Sequence, residues 1–310
     1  MIPPRKKRII FIVGPTAVGK SEAAASLAKK INAEIISCDS MQVYKGMDII
    51  TSKPSLRLRK AVPHHLIDIV YPDAEYNVSK YRLAATKKIR EIIGRGKVPI
   101  FAGGTGLYVS ALVDGIFRLR TEDQKLRKRL YKQAKERGSQ YLHARLKKVD
   151  PVSAAKIHPH DTKRVVRALE VFMATGKPIS VLQKQKKGLT DGYEVKIFCL
   201  DMRRDLLYRR IEERVERMFE RGLLVEAKRL LGSKLSRTAS CAIGLKELRG
   251  YLDGAYDKEE GARLVKRNSR QYAKRQLTWF RKNKDIEWVK VGVKEKGSAI
   301  AKKILQRLSR

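Results

Sequence analysis

The chain has 310 residues, 43% of them hydrophobic, which suits one large domain or two ordinary ones around a packed core. Lys and Arg total 70 against 32 Asp and Glu, a formal net charge of +38; a chain this basic repels itself unless it meets a polyanion, and nucleic acid is the expected partner. Cys38, Cys199 and Cys241 are scattered with no C-x-x-C, so neither a zinc ribbon nor a redox pair is suggested, and no stretch approaches the ~20 apolar residues of a membrane span, so a reduced, cytoplasmic protein with no membrane partner is expected.

The chain starts Met1-Ile2-Pro3-Pro4-Arg5-Lys6-Lys7-Arg8, a basic run expected to be a solvated tail. Ile9–Val13 is too short for a signal sequence and reads as a core strand. Gly14-Pro15-Thr16-Ala17-Val18-Gly19-Lys20-Ser21 follows, a G-x-x-x-x-G-K-[ST] loop between a strand and a helix. Lys20–Ile31 is the predicted helix, with Ala23, Ala24, Leu27, Ala28 and Ile31 as its apolar stripe. Glu34–Cys38, His65–Val70 and Val98–Ala102 are further predicted strands, and Gly103-Gly104-Thr105-Gly106-Leu107-Tyr108 turns the last of them into a helix. Strands alternating with helices across short loops predict βαβ units and a parallel sheet.

From about Thr121 the texture changes. Glu122–Lys148 reads as a charged helix with sparse apolar positions, and Asp161–Thr175 as a second, capped by Asp161 and ended by Gly176-Lys177-Pro178. Residues 120–192 are therefore expected to be a mostly helical insertion dividing a core of residues 1–119 and 193–310. The core resumes with a strand at Glu194–Leu200. Helices at Leu206–Arg221, Leu224–Leu231, Gly244–Leu252 and Lys258–Arg281, a strand at Ile286–Val291 and a final helix complete it. The predicted fold class is α/β: a P-loop NTPase-like parallel sheet flanked by helices, with a mostly helical insertion domain.

The chemistry begins at the glycine loop. Its backbone N–H groups converge on one concavity at a helix N-terminus, which suits phosphate. Lys20 adds a point charge, and the Ser21 hydroxyl suits a magnesium ion. Asp39 ends the second strand, at the sheet edge where ligands bind in such folds. It is a candidate magnesium ligand or general base. The Gly103–Tyr108 turn is expected at the same edge, with Thr105 offering a hydroxyl. Leu66-Ile67-Asp68 is not a Walker-B ending, because Ile69-Val70 carries the strand onward and leaves Asp68 mid-strand. Arg263–Lys284 holds nine Lys or Arg and no acid, with Arg263, Lys266, Arg267, Arg270 and Lys274 on one helical face and Trp279 and Phe280 at its end. Such a face suits a phosphate backbone and stacked bases. His158-Pro159-His160 lacks partners at ligand spacing, and His64-His65 is expected to pack or hydrogen-bond.

Together these segments resemble the tRNA dimethylallyltransferase (tRNA isopentenyltransferase) family. The matching runs are Gly14–Ser21, Ile36–Ile49, Pro63–Asp68, Gly103–Tyr108, Arg167–Val171 with Gly176–Pro178, and Ala273–Arg281. They lie in order across nearly the whole chain. The resemblance implies transfer of a dimethylallyl group from its diphosphate to the exocyclic amine of the adenine 3′-adjacent to a tRNA anticodon. It implies that the P-loop, Gly14, Pro15, Thr16, Ala17, Val18, Gly19, Lys20 and Ser21, holds that diphosphate with Mg2+ on Ser21, and that Arg214 reaches it. Asp39 is implied as general base and Thr105 as a positioner of the amine. Implied contacts to the tRNA anticodon stem-loop are Asp39, Ser40, Met41, Gln42, Thr105, Arg127, Lys163, Arg164, Val165, Val166, Arg167, Cys241, Gly244, Lys274, Arg275, Gln276, Trp279 and Arg281. A monomer is expected. The alternatives are a P-loop small-molecule kinase holding ATP, a prenyltransferase acting on free adenine nucleotides, and a non-catalytic RNA-binding module with a regulatory nucleotide site.

Overall fold

The computed structural model describes residues 6–117 and 123–309. Met1 to Arg5, the boundary expected at 119 and 120, and the helix start expected at Glu122 lie outside the described residues. The first unit comprises the chain up to Val113 and from Leu189 onward, and the second is Asp114–Gly188.

In the first unit β1 (Arg8–Val13), β2 (Ala33–Ser37), β3 (His64–His65), β4 (Val98–Gly103), β5 (Glu194–Asp201) and β6 (Glu287–Lys290) form one sheet in the order β3-β2-β4-β1-β5-β6. Every pairing in it is parallel. Around the first four strands run α1 (Lys20–Lys30), α2 (Leu56–Ala61), α3 (Val78–Gly94) and α4 (Gly106–Val113). The second unit holds α5 (Gln124–Arg137), α6 (Ser139–Val149), α7 (Pro151–Lys156), α8 (Thr162–Thr175) and α9 (Ile179–Leu182). The first unit then continues with α10 (Arg204–Glu220), α11 (Leu223–Leu231), α12 (Leu245–Leu252), α13 (Lys258–Phe280) and α14 (Gly297–Leu308).

The apolar run of β1 is explained by helices on both faces of the sheet. Ile9, Phe11 and Val13 enter one core with Tyr81 and Ile89 of α3, Leu112 of α4 and Val215 of α10. Ile10 and Ile12 enter the other with Ala24 and Leu27 of α1 and Ile300 and Ile304 of α14. Phe11 and Phe101 are register partners with rings stacked 4.5 Å apart. Such a pair adds ~0.5–1.5 kcal/mol beyond the area it buries. The helix α3 was not anticipated, although Asn77 caps it and Tyr81, Ala85, Ile89 and Ile92 are its buried positions.

Two expectations are corrected. The strand expected over His65–Val70 ends after His65, because Leu66 (φ 61°) and Asp68 (φ 58°) adopt left-handed backbone. Such strain costs about 1–3 kcal/mol. It is held by the Asp68 carboxylate, which pairs with Lys53 and, at 2.9 Å, with Arg59. Asp68 therefore lies in a turn beyond the strand. The single helix expected over Glu122–Lys148 is two, α5 and α6, because Gly138 at φ 82° separates them. The helical unit packs Leu130, Leu142, Leu146, Val165 and Leu169 into its own core.

Candidate active site

The P-loop closes the end of β1. Gly14 has φ 139°, and a Cβ there would lie 2.7 Å from the Leu200 carbonyl oxygen, so only glycine fits. Val18 is fully buried and anchors the loop, and Gly19 (φ 102°) caps α1. Lys20 Nζ donates to the Pro15 carbonyl at 2.6 Å. Burial pulls its pKa down to about 8; Asp39 opposes that shift and Arg214 adds to it. The Thr16 amide is already given to Gln276 Oε1 at 2.8 Å. Of the phosphate cradle expected over Gly14–Ser21, one donor, the Thr16 amide, is thus already engaged.

Asp39 and Thr105 meet because β4 lies between β2 and β1. The loops after β2, β4 and β1 then stand side by side at one sheet edge. Thr105 N donates to the Cys38 carbonyl at 3.1 Å, and Thr105 Oγ1 accepts the Ser40 amide at 3.0 Å. Asp39 Oδ1 accepts the Met41 amide at 2.9 Å, which leaves the second carboxylate oxygen for a ligand. Cys38 itself packs in the core, where burial raises its thiol pKa to about 12.

Two chambers open at this edge. The larger, about 580 Å3, is lined by the P-loop residues Ala17, Gly19, Lys20 and Ser21, by Ser37, Gln42 and Lys53, and by Arg210, Arg214 and Arg217. The smaller, about 320 Å3, is lined by Ser40, Met41, Ile50, Met218, Cys241, Ile243, Val265, Tyr272 and Arg275. Thr16, Asp39, Thr51 and Arg214 line both. The first is cationic, the second mixes apolar side chains with Ser40, Ser269, Tyr272 and Arg275, and Asp39 sits where they share a wall.

Arg210 and Arg217 were missed in the sequence, although with Arg214 they fall at i, i+4 and i+7 of α10 and so share a face. Arg210 Nη1 and Arg214 Nε are buried with no hydrogen-bond partner. Burial lowers the Arg214 pKa to about 10. Desolvated cations with open donors are arranged for an anion. Tyr272 was also missed; burial raises its phenol pKa, and the neighbouring Asp39 raises it further. The α11 carboxylate Glu226 accepts the amides of Asp48, Ile49 and Ile50 at 2.8–3.0 Å, fixing the turn that carries Thr51 into the cleft.

The structure redistributes the expected RNA contacts. Arg263 pairs with Glu260, Lys266 with Glu216 and Arg270 with Glu212. The acids come from the start of α13 and from α10, which the acid-free run Arg263–Lys284 concealed. At 100° per residue this basic face, with Arg267 and Lys274, lies opposite the Tyr272 and Gln276 side. Phe280 is buried in the core, whereas Trp279 is 40% exposed. Gln276 is 5% exposed, with both ends of its amide occupied, so nucleic-acid contact through it is withdrawn. In the helical unit Val165 and Val166 are buried, and contact through their side chains is withdrawn too. Lys163 and Arg164 are exposed there. Arg127 and Arg167 share the buried carboxylate of Glu170, each at 2.9 Å. Gly244 gives its amide to Glu247 at 2.8 Å and faces Ile50, and Cys241 is exposed at the rim of the smaller chamber. Arg281 is exposed just beyond α13.

Among the described residues no three His, Cys, Asp or Glu converge as a metal cage. Ser21 in the cationic chamber fits an ion that keeps most of its waters and arrives with a phosphorylated ligand, the usual manner of magnesium. No described helix is long and apolar enough to cross a membrane.

A family model described as IPP transferase matches residues 42–283, and one described as isopentenyl transferase matches residues 7–59. A tRNA dimethylallyltransferase of Carboxydothermus hydrogenoformans is 50% identical over 302 residues, 96% of each chain. One of Halothermothrix orenii is 47% identical over 288 residues, 92% of this chain and 88% of that protein. The crystal structure of a full-length tRNA isopentenylpyrophosphate transferase from Bacillus halodurans matches with a TM-score of 0.71 and 42% identity, covering 98% of this chain and 97% of that one. A eukaryotic dimethylallyltransferase acting on tRNA matches with a TM-score of 0.80 and 33% identity, covering 92% and 74%.

Proposed function

This chain belongs to the IPP transferase family, and from that premise we infer that it transfers a dimethylallyl group from dimethylallyl diphosphate to the exocyclic amine of the adenine 3′-adjacent to a tRNA anticodon. The diphosphate lies in the cationic chamber, held by P-loop amides, Lys20, Arg214 and Arg210. These donors are fixed before the reaction and face the charge that grows on the leaving group. Ser21 would hold Mg2+, which would supply further neutralisation of that charge. The adenine enters from the smaller chamber, after leaving the anticodon-loop stack at a cost of a few kcal/mol.

The amine nitrogen attacks C1 of the dimethylallyl group, the C–O bond to the diphosphate breaks, and the proton lost from nitrogen passes to Asp39. The adenine amine is a weak nucleophile because its lone pair is delocalised, so removal of the proton in the transition state matters. Such assistance is typically worth ~10²–10⁴ in rate. Thr105 positions the amine beside Ser40. Arg275, Trp279 and Arg281, with Lys163, Arg164, Arg127 and Arg167 of the helical unit, meet the tRNA backbone and bases. One copy of the chain supplies every group named, so we propose a monomer working in the cytoplasm.

The observation that carries this reading is Asp39 on the wall shared by a cationic chamber and a second chamber of mixed polarity. A kinase reading explains the P-loop but gives no use to the second chamber with Arg275 and Tyr272 of α13 on its wall. The test is a mass measurement on unmodified tRNA incubated with the protein, magnesium and dimethylallyl diphosphate. One nucleoside gains a five-carbon unit, and ATP in place of the donor gives no product. Consumption of ATP, or no mass gain, rejects the reading.

A further inference from the structure

Gln276 joins two loops that the sequence keeps far apart. Its Oε1 accepts the Thr16 amide of the P-loop at 2.8 Å, and its Nε2 donates to the Gly104 carbonyl at 2.9 Å. Thr16 is 260 residues away and Gly104 is 172. One partner only donates and the other only accepts, so a carboxamide of this length serves both in a single orientation. Glutamate accepts from Thr16 but has no proton for Gly104. Leucine does neither.

The loop is shaped around this contact. A Cβ on Gly104 would fall 2.0 Å from Gln276 Nε2, and one on Gly106 would fall 2.2 Å from Trp279 Cδ1. The helix α13 is therefore seated on bare backbone, one residue to either side of Thr105. The same helix presents Tyr272 and Arg275 to the smaller chamber. Thr105 in turn holds the Ser40 amide next to Asp39. A continuous set of hydrogen bonds and backbone contacts thus runs from the P-loop through Gln276 to the loop beside the candidate base.

We propose that Gln276 is a positioning residue that holds the phosphate cradle and the Asp39–Thr105 pair at a fixed separation, so that leaving group and proton acceptor stay in register. The proposal rests on the transfer reaction inferred above. It assigns Gln276 no contact with either substrate. A misplacement of ~1 Å between reacting groups is enough for about a hundredfold loss of rate.

The test combines single-turnover transfer, equilibrium binding and amide hydrogen exchange on the full chain. Gln276→Leu is expected to slow single-turnover transfer at least about tenfold, while its affinities for tRNA and for inorganic pyrophosphate stay within about threefold of wild type. Gly104→Ala, which displaces the carboxamide from the other side, is expected to do the same. The double variant is expected to be no slower than the worse single one, since both break the same Gln276 bridge between the two loops. Gln276→Glu keeps the shape, so a folding failure of the leucine variant does not end the test. Exchange at the Thr16 amide is expected to accelerate at least about tenfold in Gln276→Leu, a readout independent of the reaction. Unchanged exchange, additive losses in the double variant, or equal losses of binding and rate overturn the proposal. A wild-type protein that transfers nothing yet protects its Thr16 amide overturns the reaction and leaves the contact standing.

Discussion

Lys20 Nζ is bonded to the Pro15 carbonyl oxygen at 2.6 Å, so the P-loop's cation is held by the loop's own backbone. A diphosphate entering the cradle must draw that ammonium onto itself. Its low pKa, about 8, makes the exchange depend on pH.

Lys20 of the free protein is expected to lose its proton as the pH rises through about 8. The protonated form binds the anion, so kcat/KM for dimethylallyl diphosphate is expected to fall about tenfold per pH unit above 8. Arg214, held at about 10 by burial, adds a second fall near there. Lys20→Arg is expected to remove the limb at 8 and leave the one near 10. A limb that stays at 8 in that variant means that Lys20 is not its source.

Asp39→Asn keeps an oxygen for the Met41 amide but cannot take the proton. Single-turnover transfer is expected to slow ~10²–10⁴-fold, with tRNA and pyrophosphate affinities within a few fold of wild type. Near-normal turnover removes Asp39 as the base.

On the proposed function, the face of α13 expected to meet RNA is the one beside Tyr272. Arg275→Ala is expected to weaken tRNA binding and to reduce the slope of log K against log salt by about one. Arg270→Ala and Arg267→Ala, on the ion-paired side, are expected to change affinity less than about twofold. Filter-binding titrations at several salt concentrations decide it, and the reverse ranking shows that the outer face carries the RNA.

Glu34 is a buried carboxylate. Burial pushes its pKa up, but hydrogen bonds from Arg95, His65 and Lys97 outweigh that and hold it at about 2. A depressed carboxylate stabilises the fold above its ordinary pKa of 4.5, and that contribution is lost as pH falls toward 2. Wild-type urea midpoints are expected to drop across that window. Glu34→Gln should be less stable at pH 7, by about 1–3 kcal/mol, and flatter below pH 4.5. An equally steep drop in the variant places the acid sensitivity elsewhere.

Much of this protein is local and therefore legible in sequence. The strand–loop–helix around Gly14–Ser21, the alternation of strands and helices, and the caps at Asp161 and Gly176 follow from backbone geometry within a few residues. The acid-free stretch Arg263–Lys284 misled for the opposite reason: its counter-charges Glu212 and Glu216 sit about 50 residues away on α10. Arg210 was overlooked because one arginine among many in a basic helix carries no signal until the fold buries its Nη1 without a partner.

The amino-acid order by itself determined that a phosphate cradle, a strand-end aspartate and a glycine turn exist, because each is encoded in a short run of residues. Only the tertiary structure decided that β4 separates β2 from β1 and so stands Thr105 beside Ser40, that α10 points three arginines into the cradle, and that Gln276 is buried between two loops. Strand order and side-chain burial depend on contacts between residues 65 to 260 positions apart, and no local pattern specifies them.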